Sequence, residues 1–426
     1  MRISTAQLFQ TGVTQINAQQ AQLLGLYNQV SSGKQLTAPS DNPIGAARAV
    51  TLANDQSVNT QYATNRVTAE QNLNTEENTL QSVTTLFQKL QTEIVQAGSD
   101  TLSDSDRQSI GSVITTLKST LLDLANATDA NGQYLFSGYQ GNVAPFASDA
   151  TGAVRWKGDE GQRLIQVSTS RQMAGNDNGQ ALFMQAGPGD ATYITAATGN
   201  TLSATTNQGT GIISTPTVAA PTDPTVGDNF TVKFSGSPLQ YTVTDETTGA
   251  TTVAATAYPP GGGTLALSPG VSVSLTGTPA AGDTFAVETA ASEGPTTADP
   301  QNSSLNVFNS LDALAQVLTT PVGADDVKRA ALHNTLTTVA QRIQVNYNAM
   351  LTVRASVGSR LDEVSSLNDS GSTMALNYTQ QISSIEDVNY NTAITQLSLR
   401  QTALAAAQQA FVSIEGLNFF TTNAGK

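Results

Sequence analysis

The sequence predicts a mainly α protein with a β insertion, in which both termini form a long antiparallel coiled coil or helical bundle. Apolar residues recur at heptad spacing near both ends of the 426-residue chain, which is typical of helices that pack side by side. Short segments with alternating apolar residues fill the middle, where the composition shifts to Thr, Gly, Ala and Pro. We therefore expect a β-hairpin region and a separate outer antiparallel β domain between helical flanks.

The first helix is predicted over about residues 1–30. Its apolar seam alternates steps of four and three residues and comprises Phe9, Val13, Ile16, Gln20, Leu23, Tyr27 and Val30. A helix with only a narrow apolar stripe cannot bury that stripe by itself. We therefore expect this seam to contact partner helices.

A polar break at Ser31–Lys34 separates the first helix from the second. Ser40–Pro43 restarts the helix, because it supplies an Asx cap and a proline suited to the first helical position,. Its later part carries a row at seven-residue steps that comprises Leu73, Leu80, Phe87 and Ile94. A third helix is predicted from about Ser105 to Asn126, and the turn pair Asn131-Gly132 ends this helical section,.

Short apolar or alternating segments after residue 133 predict β-strands. They are Tyr134–Phe136, Val154–Trp156, Leu164–Val167, Phe230–Phe234, Tyr241–Val243 and Val271–Leu275,. The segment Gly227–Val232 returns in similar form as Gly282–Val287. This echo predicts two similar hairpin-like units within one small β domain.

Helix resumes near Ser303, is interrupted at Pro321–Gly323 and restarts near Asp325. A long apolar row follows, made of Leu336, Ile343, Met350, Val357 and Val364. The last helix carries a seam made of Ile394, Leu397, Leu404, Phe411 and Ile414. We expect the long rows to form an intramolecular core and the two terminal seams to serve assembly.

The pattern predicts three parts. The terminal helices (1–42 and 386–426) form an inner coiled-coil assembly domain. A helical bundle with a β-hairpin region (43–185 and 300–385) lies next to it, and a β domain (186–299) faces outward.

Charge and composition exclude several classes of function. The net charge is -14 and the pI is about 4.4, and no cluster of Lys and Arg is present, so we expect no nucleic-acid partner. The negative net charge also disfavours binding to anionic membranes. The absence of cysteine excludes thiolate chemistry,. No apolar stretch has the length of a signal peptide or a bilayer span, so we expect neither a cleaved signal peptide nor a membrane partner.

Few residues are candidates for catalysis or metal binding, and each has a structural interpretation. His333 is the one histidine of the sequence, and its neighbours fit an ordinary helix surface. The acidic pairs Asp104/Asp106 and Asp325/Asp326 stand at predicted helix starts, where capping explains them better than metal binding. Trp156 either packs beneath a β-sheet or contacts another subunit. We expect no enzyme, no metal and no cofactor.

Several motifs of the two ends resemble bacterial flagellins. Val30–Lys34 with Ser40–Pro43 resembles their amino-terminal segment, and Ile385–Tyr390 with Gln401–Phe411 resembles their carboxy-terminal one. Asn131–Gly138 and Gly416–Phe420 resemble the hook–filament junction branch of that superfamily, the hook-associated protein 3 type. The resemblance covers about residues 1–185 and 300–420.

This resemblance implies an extracellular structural subunit of the bacterial flagellum, at the junction between hook and filament. It implies self-assembly into a ring or tube layer next to a neighbouring hook-associated junction protein and flagellin. It further implies export through the flagellar type III channel and a cytoplasmic chaperone for the C-terminal helix. The alternatives are a flagellin, the filament subunit itself, and a coiled-coil surface adhesin.

Overall fold

The computed structural model describes residues 5–185, 192–197, 207–292 and 303–423. The chain divides into two compact units, Met1–Asn65 with Ser366–Lys426 and Arg66–Ser365. The helices of the described residues are α1 (Thr5–Ser32), α2 (Pro43–Ala97), α3 (Asp104–Ala125), α4 (Gly179–Phe183), α5 (Val307–Thr319), α6 (Asp326–Glu386) and α7 (Tyr390–Asn423). The predicted division into three parts remains a prediction.

The first unit consists of α1, α7, the start of α2 and the end of α6. Polar side chains join α2 to α6 here: Asn59 Nδ2 donates to the carbonyl oxygen of Gly371 at 2.9 Å, and Gln56 Nε2 donates to Thr379 Oγ1 at 3.2 Å. Neutral amides and hydroxyls therefore link the two helices in this unit.

The second unit has a helical core built from the predicted seven-residue rows. The buried members from α2 and α6 are Leu73, Leu80, Phe87, Ile94, Leu336, Ile343, Met350, Val357 and Val364. Gln91 Nε2 donates to Gln344 Oε1 at 2.8 Å, and Arg354 pairs with Glu77. The prediction that these rows form an intramolecular core is confirmed.

Acidic and hydroxyl side chains cap the starts of α3 and α6. Ser103 and Asp106 form a reciprocal capping box at the start of α3,. Asp104 accepts hydrogen bonds of 3.1 Å from the backbone N–H groups of Val322 and Gly323, so it also fixes the loop between α5 and α6. Asp325 Oδ1 accepts from two N–H groups in the first turn of α6. The capping interpretation is confirmed for Asp106 and Asp325.

Two small hairpins follow α3. Their strands are β1 (Phe146–Ser148), β2 (Val154–Trp156), β3 (Leu164–Ser168) and β4 (Arg171–Ala174). The predicted strand at Tyr134–Phe136 is wrong, because only Tyr134 is paired, in an isolated β-bridge with Thr128, and Leu135 and Phe136 lie in a turn. Its apolar character has another cause: Leu135 is 1% exposed and Phe136 is 0% exposed, so consecutive side chains point into the core.

The remaining strands form two antiparallel sheets. They are β5 (Tyr193–Ala197), β6 (Ile212–Ile213), β7 (Thr217–Val218), β8 (Phe230–Ser235), β9 (Gln240–Asp245), β10 (Thr251–Ala257), β11 (Gly262–Ala266), β12 (Val271–Thr276) and β13 (Thr284–Thr289). One sheet has the order β10-β9-β8-β13-β5, and the other has the order β11-β12-β6 with β7 also paired to β12. Aromatic and branched side chains of both sheets form one apolar cluster.

The sequence echo lies at the centre of the larger sheet. β8 and β13 are antiparallel neighbours, with Phe230 opposite Val287 and Val232 opposite Phe285. Each aromatic residue of one copy therefore faces the valine of the other. Gly227 and Gly282, which precede these strands, both have positive φ, 109° and 102°, so the two copies begin with the same turn conformation.

Candidate assembly interface

The N-terminal helix α1 packs against the C-terminal helix α7. The rings of Phe9 and Phe411 lie 5.0 Å apart between centroids, at an interplanar angle of 45°. An ideal Cβ at Gly12 would lie 2.9 Å from Cδ2 of Phe411. The glycine therefore leaves the space that the Phe411 ring occupies.

Part of the predicted seam lies between these two helices. The half-buried members are Val13, Ile16, Leu23, Val30, Leu397, Leu404 and Phe411. Phe9, Gln20, Tyr27 and Ile394 are exposed, although Tyr27 Oη accepts a 3.4 Å hydrogen bond from Gln401 Nε2. The side chain of Ile414 lies outside the described residues. The role of all twelve residues in assembly remains a prediction.

Sequence reasoning missed Gln19 and Leu26 among the half-buried residues of α1. Gln19 and Leu26 are half-buried, whereas their neighbours Gln20 and Tyr27 are exposed. A strict heptad selects Gln20 and Tyr27, but a straight α-helix with 3.6 residues per turn drifts from that repeat. Leu26, an apolar residue three positions after Leu23, was the available signal.

Large apolar side chains of the two terminal helices remain exposed. Leu24 is 63% exposed, Ile394 54%, Leu399 66% and Val412 60%. In a pair of helices, each helix covers only one face of the other. These residues lie outside that face, so further partners are needed to bury them. The α1–α7 pair thus retains apolar surface that can contact other chains.

The terminal helices carry almost no charge. The 28 residues of α1 include no Asp, Glu, Lys, Arg or His, and α7 carries only Arg400 and Glu415 among such residues. Arg400 donates a hydrogen bond to Gln22 Oε1 across the pair. Contact between these helices therefore depends on apolar packing and hydrogen bonds, which salt screens only weakly.

The break between α1 and α2 is rigidly hydrogen-bonded. Asp41 Oδ2 accepts from the backbone N–H of Ala38 at 2.8 Å and from the Thr37 hydroxyl at 2.9 Å. These bonds, the one from Ala38 above all, lower the pKa of Asp41. Asn42 Oδ1 accepts from Gly45 N–H at 2.9 Å. The predicted Asx cap is confirmed.

The other candidate residues have local structural roles. His333 Nε2 lies 2.9 Å from Asp100 Oδ1, a contact with an exposed carboxylate. Trp156 is 8% exposed and packs against Phe146, with ring centroids 5.0 Å apart and an interplanar angle of 60°. Of its two interpretations, packing within the chain agrees with this burial.

The described residues contain neither a cluster suited to a metal ion nor a membrane-spanning helix. No group of three or more His, Cys, Asp or Glu side chains in these ranges could hold a metal ion. In the same part of the chain, no helix is both long enough and apolar enough to cross a membrane.

Residues 3–141 match the family described as the bacterial flagellin N-terminal helical region. The N-terminal part of the chain is thus similar to bacterial flagellins. The resemblance predicted from Val30–Lys34 and Ser40–Pro43 is thereby confirmed. Helices α1, α2 and α3 all lie within the matched region.

This flagellin-like chain is also similar over its full length to two curated proteins. It is 28% identical over 423 residues to flagellar hook-associated protein 3 of Salmonella typhimurium, covering 99% of this chain and 100% of the relative. It is 29% identical over 420 residues to flagellar hook-associated protein 3 of Escherichia coli K12, covering 99% of both. The predicted resemblance to the hook-associated protein 3 type is confirmed.

Solved structures share the fold of the flagellin-like chain. FlgL of Xanthomonas campestris superposes with a TM-score of 0.64 at 26% identity, covering 78% of this chain and 99% of that one. The flagellar junction protein FlgL of Legionella pneumophila superposes with a TM-score of 0.63 at 23% identity, covering 80% and 100%. The predicted fold class, mainly α with terminal helices and antiparallel sheets, is confirmed.

Proposed function

We propose that this chain is a structural subunit of the bacterial flagellum and forms the junction layer between hook and filament. The observation that carries the proposal is the full-length similarity to hook-associated protein 3 from two bacteria. The flagellin N-terminal match supports the broader assignment to the flagellum. The exposed apolar residues of α1 and α7 supply the surface through which copies would associate.

The proposed mechanism is assembly by coupled folding and binding. Ordering a helix costs about 1–2 kcal/mol per residue in backbone entropy, and an isolated amphipathic helix recovers little of it in water. Contacts between α1 and α7 within one chain offset part of that cost. Burial of Leu24, Ile394, Leu399 and Val412 between copies would offset more of it, at about 25 cal/mol per Å² of apolar area. The subunit acts mechanically, and we propose no catalytic activity.

The twelve seam residues would contribute to an inner layer formed by residues 1–42 and 386–426 of many copies. Residues 43–185 and 300–385 would form the next layer, and the β domain would face outward. We propose an extracellular location reached through the flagellar type III channel, and a cytoplasmic chaperone that binds the C-terminal helix before export. Partners in the assembled state would be a second hook-associated junction protein and flagellin.

Immunogold labelling of intact flagella, with an antibody against residues 207–292, tests the location. We expect a single band where the hook meets the filament. Label along the whole filament would instead make this chain a flagellin. Protein found elsewhere on the cell, with unlabelled flagella, would reject the flagellar assignment and favour a surface adhesin.

Deletion of residues 386–426 tests the mechanism. We expect the truncated chain to keep a cooperatively folded second unit, because the buried rows of α2 and α6 lie at residues 66–365. We expect it to be absent from flagella although its expression is normal. Incorporation at the wild-type level would contradict the assembly role of the terminal helices.

A further inference from the structure

Two helix breaks that are distant in sequence meet in the first unit. The first break follows α1, and the second separates α6 from α7. Gln35 N–H donates to the carbonyl oxygen of Glu386 at 2.6 Å, and Val388 N–H donates to the carbonyl oxygen of Gly33 at 3.0 Å. These bonds belong to an isolated antiparallel β-bridge, which joins the backbone of the two breaks directly.

Side chains reinforce this bridge. Lys34 Nζ lies 2.8 Å from Glu386 Oε2, a pair separated by 352 residues in sequence. This contact raises the pKa of Lys34. Gly33 has a φ of +71°, and an ideal Cβ there would lie 3.1 Å from the Tyr390 hydroxyl. We call this arrangement the clasp, defined by residues 33–35 and 386–388.

The clasp lies where α1 ends and α7 begins, so it holds one end of the terminal helix pair. Beyond it, the seam of α7 repeats every seven residues through Leu397, Leu404 and Phe411. Displacing α1 along such a repeat by one heptad brings apolar residues opposite apolar residues again. The charge-free α1 offers no ion pair that would oppose the displacement. The Phe9–Phe411 contact is therefore weakly specified by the seam alone.

We propose that the clasp fixes the register of α1 against α7, with the Lys34–Glu386 ion pair as its side-chain lock. Two backbone hydrogen bonds and one ion pair at the end of the helices allow a single alignment, and that alignment places Phe9 beside Phe411. A one-heptad slip of about 10 Å along the helix axis would break all three contacts. This inference concerns contacts within one chain and does not depend on the location of the protein in the flagellum.

Cross-linking of the full-length chain in solution tests the proposal, because the sequence contains no cysteine. The variant Phe9→Cys with Phe411→Cys reports the native register through a short bismaleimide. The variant Phe9→Cys with Leu404→Cys reports a slip of one heptad. We expect the first pair to cross-link in preference to the second.

Charge reversals are then added to both reporter pairs. Lys34→Glu should lower the ratio of native to slipped cross-linking by about threefold or more, since it replaces an attraction by a repulsion. The double reversal Lys34→Glu with Glu386→Lys should restore the ratio. Asn28→Glu, which introduces the same side chain at an exposed position of α1, should leave it unchanged.

A backbone variant tests the hydrogen bonds separately. Gln35→Pro removes the N–H that donates to Glu386, so it should lower the same ratio without changing any charge. The proposal is overturned if neither Lys34→Glu nor Gln35→Pro changes the ratio, if the double reversal fails to restore it, or if the parent shows no preference for the native pair. Immunogold labelling reports the proposed function independently of these outcomes.

Discussion

The buried carboxylate of Glu76 accepts, through Oε1, a 3.0 Å hydrogen bond from the backbone N–H of Asp177. Glu76 is 0% exposed, and its burial is the main cause that raises its pKa well above the ordinary range. The negative charge of Asp177 raises the pKa further, whereas Arg360, which pairs with Asp177, opposes the shift. Three ionisable groups from α2, the segment before α4 and α6 thus meet inside the second unit.

This arrangement predicts a pH dependence of stability. A carboxyl group whose pKa is raised by folding binds its proton more tightly in the folded state than in the unfolded state. The free energy of unfolding therefore falls as the pH rises from about 4.3, the ordinary value for glutamate, towards the folded-state pKa. Glu76→Gln should remove this contribution, so the variant gains stability relative to the parent at alkaline pH.

Urea unfolding at several pH values between 5 and 9 measures this effect. Glu70→Gln, at an exposed position of the same helix, is the matched control and should follow the pH dependence of the parent. A Glu76→Gln variant with the same pH dependence as the parent would show that Glu76 is ionised in the folded protein.

Substitution by alanine at two glycines should change the stability of the protein in opposite directions. An ideal Cβ at Gly179 would lie 2.8 Å from Phe136 Cβ and 2.9 Å from Trp156 Cζ3, so Gly179→Ala must displace core atoms and should destabilise the fold by about 1–3 kcal/mol. Gly358, within α6, has nothing within 4 Å of such a Cβ. Gly358→Ala should stabilise the protein by about 0.5–1 kcal/mol. Thermal unfolding followed by circular dichroism measures both, and equal effects would contradict the packing described around Gly179.

The contact of Gly12 with Phe411 should be essential for pairing of the terminal helices. Gly12→Val places a branched side chain where the ring lies, so it should reduce incorporation into flagella several-fold. Gly25→Val has the same intrinsic effect on the stability of helix α1, but no atom beyond the adjoining turns of α1 lies within 4 Å of the added Cβ position. The amount of subunit in purified flagella measures both variants. Equal incorporation of the two would exclude a role for close packing at Gly12.

Asn126 should stabilise the start of β1 through its side-chain amide. Its Nδ2 donates to the carbonyl oxygen of Phe146 at 2.9 Å, and its Oδ1 accepts from Phe146 N–H at 3.0 Å. Asn126→Ala leaves both buried backbone groups without these partners, which should cost about 1–3 kcal/mol. Trp156, paired with Phe146 across β1 and β2, reports unfolding by its fluorescence. Asn54→Ala, at an exposed position, should leave the free energy of unfolding within about 0.5 kcal/mol of the parent value.

Periodicity was sufficient to predict the long helices. Rows such as Leu73, Leu80 and Phe87 repeat over many turns, so packing of the whole row outweighs any single local preference. Tyr134–Phe136 was misassigned, because three consecutive apolar residues fit either a strand or a tight turn whose side chains enter the core. Alternation also predicted β8 and β13 individually. It could not predict that they are neighbours, because pairing depends on contacts between residues distant in sequence.

The terminal interface was predictable in part. Heptad spacing found Leu23 and Leu397, but it chose Gln20 and Tyr27 over Gln19 and Leu26 because the exact helical drift depends on the partner helix. The contact between Lys34 and Glu386 was beyond prediction from spacing, although both residues belong to the motifs that resemble flagellins. Those motifs carry no information about their separation in space.

The chain as a whole has a net charge of -14, yet α1 contributes none of it. Coulomb repulsion between copies grows with the square of the charge that each copy brings to a shared surface. A layer in which many copies place α1 side by side would therefore gain no repulsion from this helix, whatever the number of copies. Shape and apolar contact would then govern how the copies of α1 pack in such a layer. The negative charges of each chain lie on other segments, where solvent and salt screen them.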